Sequence, residues 1–277
     1  MLIDSHHHLW KYSADQYGWI NDDMQRLKQD YWADQLRELA VANGVDGFVT
    51  VQARQSLVET DTLLALAESL PLIRGVVGWL DLRREDIGDQ LDRYADRPRL
   101  KGVRHVVQDE PQDDFILGTE FNRGVAQLAG RGLVYDILVF PRQLESAIQF
   151  AGNHPEIPMV LDHLAKPAVG STAPDADWCD RIRKLAAHSH VACKFSGLAT
   201  EVTIDRWDVA TIRPYWDVVL DAFSPSRLMF GSDWPVCLLK TEYSRWLEAV
   251  RELAGELSPD EQSELFSGTA QRIYHLE

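Results

Sequence analysis

Eight short apolar runs, each followed by a stretch with helical spacing, constrain the fold of this chain more than any other feature of its sequence. The runs lie at Leu2–Trp10, Gly47–Val51, Leu72–Trp79, Leu100–Val107, Leu133–Phe140, Met159–Asp162, Val191–Phe195 and Leu228–Phe230. Between and after them the spacing predicts helices at Trp32–Ala42, Glu59–Ser69, Ile87–Tyr94, Phe121–Ala129, Arg142–Gly152, Trp178–Ala187, Ile212–Phe223 and Glu242–Ala254, with a terminal helix near Pro259–Tyr274. Strands that are apolar on both faces and separated by helices read as parallel strands under an outer helical layer. Eight such units in 277 residues of 45% hydrophobic composition predict an α/β fold, one (β/α)₈ TIM barrel domain spanning residues 1–277. The competing architecture is a doubly wound open sheet. It usually has a glycine-rich turn after its first strand, where this chain has His6-His7-His8.

Strict alternation along the first strand predicts that Asp4, His6 and His8 share one face and that Ile3, Ser5 and His7 share the other. Two convergent imidazoles can hold a metal or position a reacting carbonyl. A tag remnant explains them poorly, because they finish an apolar run that begins at residue 2.

In barrels of this kind chemistry sits at the carboxyl ends of the strands. There the sequence offers His6 and His8, Gln52 and Arg54, Trp79 and Asp81, Arg104 and His105, then Asp162, His163 and Lys166, then Lys194 and Ser196, and finally Asp233 with Trp234. Singly, each reads better as a rim charge or helix cap. Jointly they favour an active mouth, since random surface charges would not gather at the same end of so many units. Asp233 follows a buried strand directly within Met229-Phe230-Gly231-Ser232-Asp233-Trp234-Pro235, where the glycine permits close backbone approach and the proline stops the strand. A carboxylate there, facing histidines, can take a proton from water and pass it to a leaving group.

The formal charge of −15 argues against nucleic acid or an anionic membrane surface as partner. Three widely spaced cysteines without a CxxC pair predict reduced thiols, and no apolar stretch approaches a membrane span, so a soluble cytoplasmic protein is expected, as monomer or homodimer. The aromatic loop Lys11–Tyr31 is long for a plain connection and reads as a lid or as packing.

The ordered motifs IDSHHHLW, KGVRHVVQDEP (Lys101–Pro111), YDILVFPRQL (Tyr135–Leu144), LDHLAKP (Leu161–Pro167), CKFSGL (Cys193–Leu198) and GSDWPV (Gly231–Val236) resemble the amidohydrolase superfamily. More narrowly, they are similar to its amidohydrolase-2 branch of sugar-lactone and pyrone-dicarboxylate lactonases. The resemblance implies a distorted (β/α)₈ barrel and maps the family's metal-and-catalysis positions onto His6, His8, His163 and Asp233. Strand 5 lacks the lysine that bridges two metals in binuclear members and strand 7 lacks their histidine, so it implies at most one divalent ion such as Zn²⁺, not strictly required. The implied reaction is hydrolysis of a small sugar-acid lactone. In it Asp233 activates water, His6, His8 and His163 polarise the carbonyl, and Arg104, Lys194, His105, Gln52 and Trp234 contact substrate. The alternatives are a mononuclear zinc hydrolase or nonoxidative decarboxylase of the same superfamily, and a sugar-acid binding protein without turnover.

Overall fold

The eight apolar runs become parallel strands β1 (Ile3–His7), β2 (Gly47–Val51), β3 (Ile73–Gly78), β4 (Leu100–His105), β5 (Val134–Ile137), β6 (Met159–Leu161), β7 (Val191–Phe195) and β8 (Leu228–Phe230). Each pairs with the next in a single sheet, in a computed structural model that describes residues 1–170 and 173–277. Helices α1 (Ala33–Asn43), α2 (Leu57–Ser69), α3 (Ile87–Arg93), α4 (Thr119–Ala126), α5 (Leu144–Asn153), α6 (Ala176–Ala186), α7 (Val209–Phe223) and α8 (Tyr243–Ala254) alternate with them. The sheet curls until its edges meet, which rules out the doubly wound alternative and makes the molecule a (β/α)₈ barrel.

The closing seam is irregular. β8 is only three residues long, so most of the junction with β1 lies beyond its end: Asp233 N donates to His6 O (2.8 Å) and His8 N to Trp234 O (2.7 Å). Below these, Ser5 Oγ donates to Phe230 O (2.6 Å), and Asp4 Oδ1 accepts from Ser232 N (2.9 Å). The first strand and the Asp233 loop are thereby locked to one another.

β1 also departs from simple alternation. Asp4 pairs with Phe48 but His7 with Thr50, so three steps on β1 oppose two on β2, the signature of a β-bulge. The bulge inverts the phase of the strand. Ile3 lies in the inner apolar layer with Val49, Val51, Val77, Val134, Val160, Ala192 and Met229, yet His6 and His8 also reach the interior higher up. Asp4 therefore does not share the face of His6 and His8, contrary to the alternation argument. Its carboxylate is spent on the backbone of the seam.

The C-terminal segment seals the opposite end of the barrel. The expected single helix is three pieces, α9 (Pro259–Ser263), a π-helical turn at Glu264–Gly268 and α10 (Thr269–Ile273). Tyr274 and Leu276 join the inner apolar layer from below. Outside the strands, helices bury residues such as Leu36, Leu63, Phe150, Trp216 and Trp246, and each large apolar side chain contributes about 1.5–3 kcal/mol by leaving water. Trp246 of α8 also stacks on Phe195 at 5.6 Å and donates its indole N–H to Gly231 O (2.8 Å), steadying the approach to Asp233.

The Lys11–Tyr31 loop is packed down. Trp10 and Tyr31 exchange backbone hydrogen bonds of 2.9 Å, and the buried Trp10 indole donates to Leu27 O and Gln29 O. Trp19 stands edge-on to Trp10 at 5.7 Å and remains 36% exposed. Cys193 and Cys237 are buried, Cys179 is half-buried, and none forms a disulfide. No helix among the described residues is long and apolar enough to cross a membrane.

Candidate active site

Three strand ends deliver the central group. The bulged end of β1 brings the Nε2 atoms of His6 and His8 within 3.2 Å of each other. After β8, Asp233 adopts φ +57° and places Oδ1 3.3 Å from His8 Nε2, 3.8 Å from His6 Nε2 and 3.9 Å from His163 Nε2. His163 enters from a left-handed turn after β6. His163, Leu164, Ala165 and Lys166 take φ values of +52°, +56°, +59° and +53°, and none is glycine. Such a conformation costs an L-residue about 1–2 kcal/mol, so the surroundings must impose it. Lys166 N bonds back to His163 O (2.7 Å), and the Trp178 indole holds Leu164 O (2.9 Å).

Two glycines make room for this group. A Cβ on Gly197, itself at φ +66°, would lie 2.4 Å from His163 Nδ1. One on Gly231 would lie 2.9 Å from the His6 Cβ and 3.0 Å from the Ser196 Cβ, confirming the close approach inferred from sequence.

A charged layer lies immediately beneath. Asp162 Oδ2 accepts from Arg104 Nη1 (2.9 Å), and its Oδ1 sits 3.0 Å from Lys194 Nζ and 3.3 Å from His6 Nδ1. Lys194 also donates to Asp136, whose two oxygens accept from the Tyr274 hydroxyl at 2.8 and 2.9 Å. All these side chains are buried. Burial favours neutral acids, but Lys194, His6 and Arg104 reverse that for Asp162 and hold it well below the usual carboxylate range. For Asp136 burial prevails and pushes it up to about 6, against Lys194. At Asp233 burial is likewise outweighed, here by His163 and His8, so its carboxyl lies below its ordinary value. Burial lowers His163 to about 4 and takes His6 well below its ordinary value. The site thus combines an ionised Asp233 with neutral His6 and His163.

Hydrogen bonds fix how those imidazoles face. His8 Nδ1 contacts the Val51 carbonyl at 2.8 Å and must donate to it, which in the neutral ring leaves Nε2 as an acceptor. His6 turns Nδ1 toward the Asp162 carboxylate, and Arg104, which can only donate, lies 3.4 Å from its Nε2. Two lone pairs and a carboxylate oxygen therefore converge with no proton of their own between them. That donor set fits one divalent cation: the ligand atoms of His6, His8 and Asp233 all lie within 4.8 Å of one another, and the backing of each ring by a carbonyl or carboxylate is typical of metal-bound histidine. A second grouping, His6, Asp162 and His163, is equally compact, but Arg104 and Lys194 already occupy Asp162.

The remaining sequence candidates divide. Arg104 lines the central group and donates to Gln52 O (2.6 Å), while the Gln52 side chain returns a long contact to Arg104 O (3.4 Å). Lys194 lies within the charged layer and is fully enclosed. His105 is held apart by Glu110 (2.7 Å), the Trp79 indole (3.4 Å) and a stacked Phe115 ring (5.0 Å). Trp234 packs edge-on to Tyr31 at 5.2 Å. Ser196, 2.9 Å from His163 Nδ1, and the Asp136–Tyr274 pair were given no role from sequence.

The family model described as Amidohydrolase matches residues 3–276. The chain belongs to the amidohydrolase family. This amidohydrolase is 43% identical to an L-fucono-1,5-lactonase of Burkholderia multivorans over 286 aligned residues, covering 100% of this chain and 96% of the relative. It is 33% identical to an L-fucono-1,5-lactonase of Burkholderia ambifaria, covering 99% and 96%. A crystal structure of a B. multivorans amidohydrolase with bound Zn superposes with a TM-score of 0.96 at 42% identity, covering 100% of both chains.

Proposed function

We propose that this amidohydrolase opens the ester of a sugar-acid lactone, with L-fucono-1,5-lactone the first candidate because two relatives carry that activity in their names. The observation that carries the proposal is the convergence of ionised Asp233 with two acceptor imidazoles and His163 at the barrel mouth. Opening a lactone needs an activated water, stabilisation of the oxyanion and a proton for the departing ring oxygen.

Asp233 accepts the proton of the attacking water. With Nδ1 of His8 bonded to Val51 O and Nδ1 of His6 facing the Asp162 carboxylate at 3.3 Å, the two rings present Nε2 lone pairs to the site, so one of them orients that water by accepting its second O–H rather than by donating to the carbonyl. Ser196, donating to His163 Nδ1, leaves the His163 Nε2–H free to donate to the carbonyl oxygen as it gains charge. The carbon–ring-oxygen bond then breaks, Asp233 returns its proton to the ring oxygen, and the product is the open-chain acid. Arg104 holds Asp162, and through it the orientation of His6. A Zn²⁺ held by His6, His8 and Asp233 supplies, when bound, a lowered pKa for water and polarisation of the carbonyl.

A pH-indicator assay of the purified protein on aldonolactones and pyrone dicarboxylate, before and after prolonged chelation, tests the reading. Acid release from an aldonolactone is expected. Silence across that panel would refute it, and loss on chelation with rescue by Zn²⁺ would make the ion essential.

A further inference from the structure

Besides His163, Lys166 is the one titratable side chain of the left-handed turn, and the catalytic group as described leaves it unused. The turn forces an expensive backbone conformation on it, and Pro167 follows immediately. Its side chain is half-buried, with the ammonium 5.8 Å from the centre of the Phe140 ring, three residues beyond the end of β5. Its neighbourhood is set by a second loop: Val169 N donates to Glu201 O (2.9 Å) and Thr203 N to Val169 O (2.8 Å), which zips the segment after Lys166 to the segment after β7. The charge of Lys166 acts on Asp233, His163 and Glu201.

Despite those acidic neighbours, Lys166 forms no ion pair within 4.0 Å and no side-chain hydrogen bond among the described residues. Every other cation of the inner site is committed: Arg104 to Asp162 and Gln52, Lys194 to Asp136 and Asp162. A half-buried ammonium at the barrel mouth, one tight turn on from His163 and with its three donors unclaimed, can donate to an oxygen atom of a ligand.

We infer that Lys166 binds the carboxylate of the ring-opened product, and the oxygen of the lactone carbonyl from which that carboxylate forms. The inference rests on the lactonase reading. Hydrolysis converts a neutral ester into an anion next to Asp233 in a protein of net charge −15, and Lys166, carried on the same turn as His163 and free of other partners among the described residues, is the cation that offsets that new charge.

The test compares Lys166→Met with Lys166→Arg, both of which bear the same backbone cost as lysine at φ +53°. Binding is read calorimetrically with two probes, L-fuconate, which carries the carboxylate, and L-fucitol, its neutral reduced counterpart. A charge-assisted hydrogen bond corresponds to roughly 10- to 100-fold in affinity. Lys166→Met is expected to lose that factor for L-fuconate and nothing for L-fucitol, with an unchanged melting curve, while Lys166→Arg retains most of the affinity. Wild-type hydrolysis accompanied by undiminished L-fuconate binding in Lys166→Met overturns the assignment and leaves the lactonase reading standing. L-Fuconate bound through Lys166 by a wild-type protein that opens no lactone overturns the lactonase reading and leaves the assignment standing. A wild-type protein that neither opens lactones nor binds L-fuconate refutes both.

Discussion

Replacing Lys194 by methionine tests whether the charged layer beneath the site is held together as the structure indicates. Methionine has a comparable unbranched length, so the change removes the ammonium with little loss of volume. Asp162 keeps its 2.9 Å bond to Arg104, and Asp136 keeps the Tyr274 hydroxyl, but both lose the cation between them. Removing one member of a buried ion pair costs about 3–5 kcal/mol, which corresponds to a fall in Tm of roughly 6–20 °C for a chain of this size. The cost should depend on pH. Asp136 already lies at about 6 with Lys194 present, and without it the carboxyl moves higher, so the folded variant can take up a proton and shed part of the penalty in acid. Thermal melts of wild type and Lys194→Met at pH 5.5 and pH 8.5 should therefore show the larger gap at pH 8.5. Adding Asp136→Asn to Lys194→Met should recover part of the loss by removing the orphaned charge. A variant that melts within about 2 °C of wild type at pH 8.5, or a gap independent of pH, would refute the argument.

Asp233→Asn should lower kcat on a lactone by about 10²- to 10⁴-fold while the melting curve stays in place, because the amide preserves shape but cannot accept the proton; near-normal turnover removes Asp233 from the chemistry. Gly197→Ala should cripple activity and cost stability, since its Cβ would lie 2.4 Å from His163 Nδ1; kinetics like wild type would show that the turn has room to yield. Glu59, buried and pushed up to about 7 by that burial, binds a proton more tightly folded than unfolded, so it adds stability as pH falls from about 7 toward 4.5. Glu59→Gln should flatten the stability profile over that range by up to about 3 kcal/mol, as read from urea midpoints at successive pH values; parallel profiles for the two proteins would contradict the assignment.

The barrel was legible because its strands are short, apolar on both faces and regularly interrupted. β7 and β8 begin and end where the pattern put them, whereas β5 stops at Ile137, three residues before Phe140, where the chain turns out of the sheet. Phase within β1 was not legible. An inserted residue is defined only against the partner strand, and nothing in Ile3–His7 alone announces that three steps will face two. The convergence of His6, His8, His163 and Asp233 could be anticipated from strand ends and from family likeness. The layer beneath them carries its own signal, of which sequence reasoning takes up Lys194 alone, as a substrate contact: an aspartate within Val134–Ile137 and a lysine within Val191–Phe195 put opposite charges inside strands otherwise apolar, and buried charges require partners. The left-handed turn at His163–Lys166 gave no warning, since its four residues include no glycine.

The seam has a consequence for the order in which the molecule can become active. Asp4 and Ser232, 228 positions apart, are hydrogen-bonded across it, and His6 meets Asp233 just above. A ribosome must therefore deliver β8 and the loop beyond it before the histidines near the start of the chain acquire their carboxylate. Until Tyr274 has also emerged, Asp136 lacks the hydroxyl that caps it from below. Nascent chains that stop short of these residues should carry neither a closed ring nor hydrolytic capacity, so activity switches on once the segment through Tyr274 has emerged rather than growing with length.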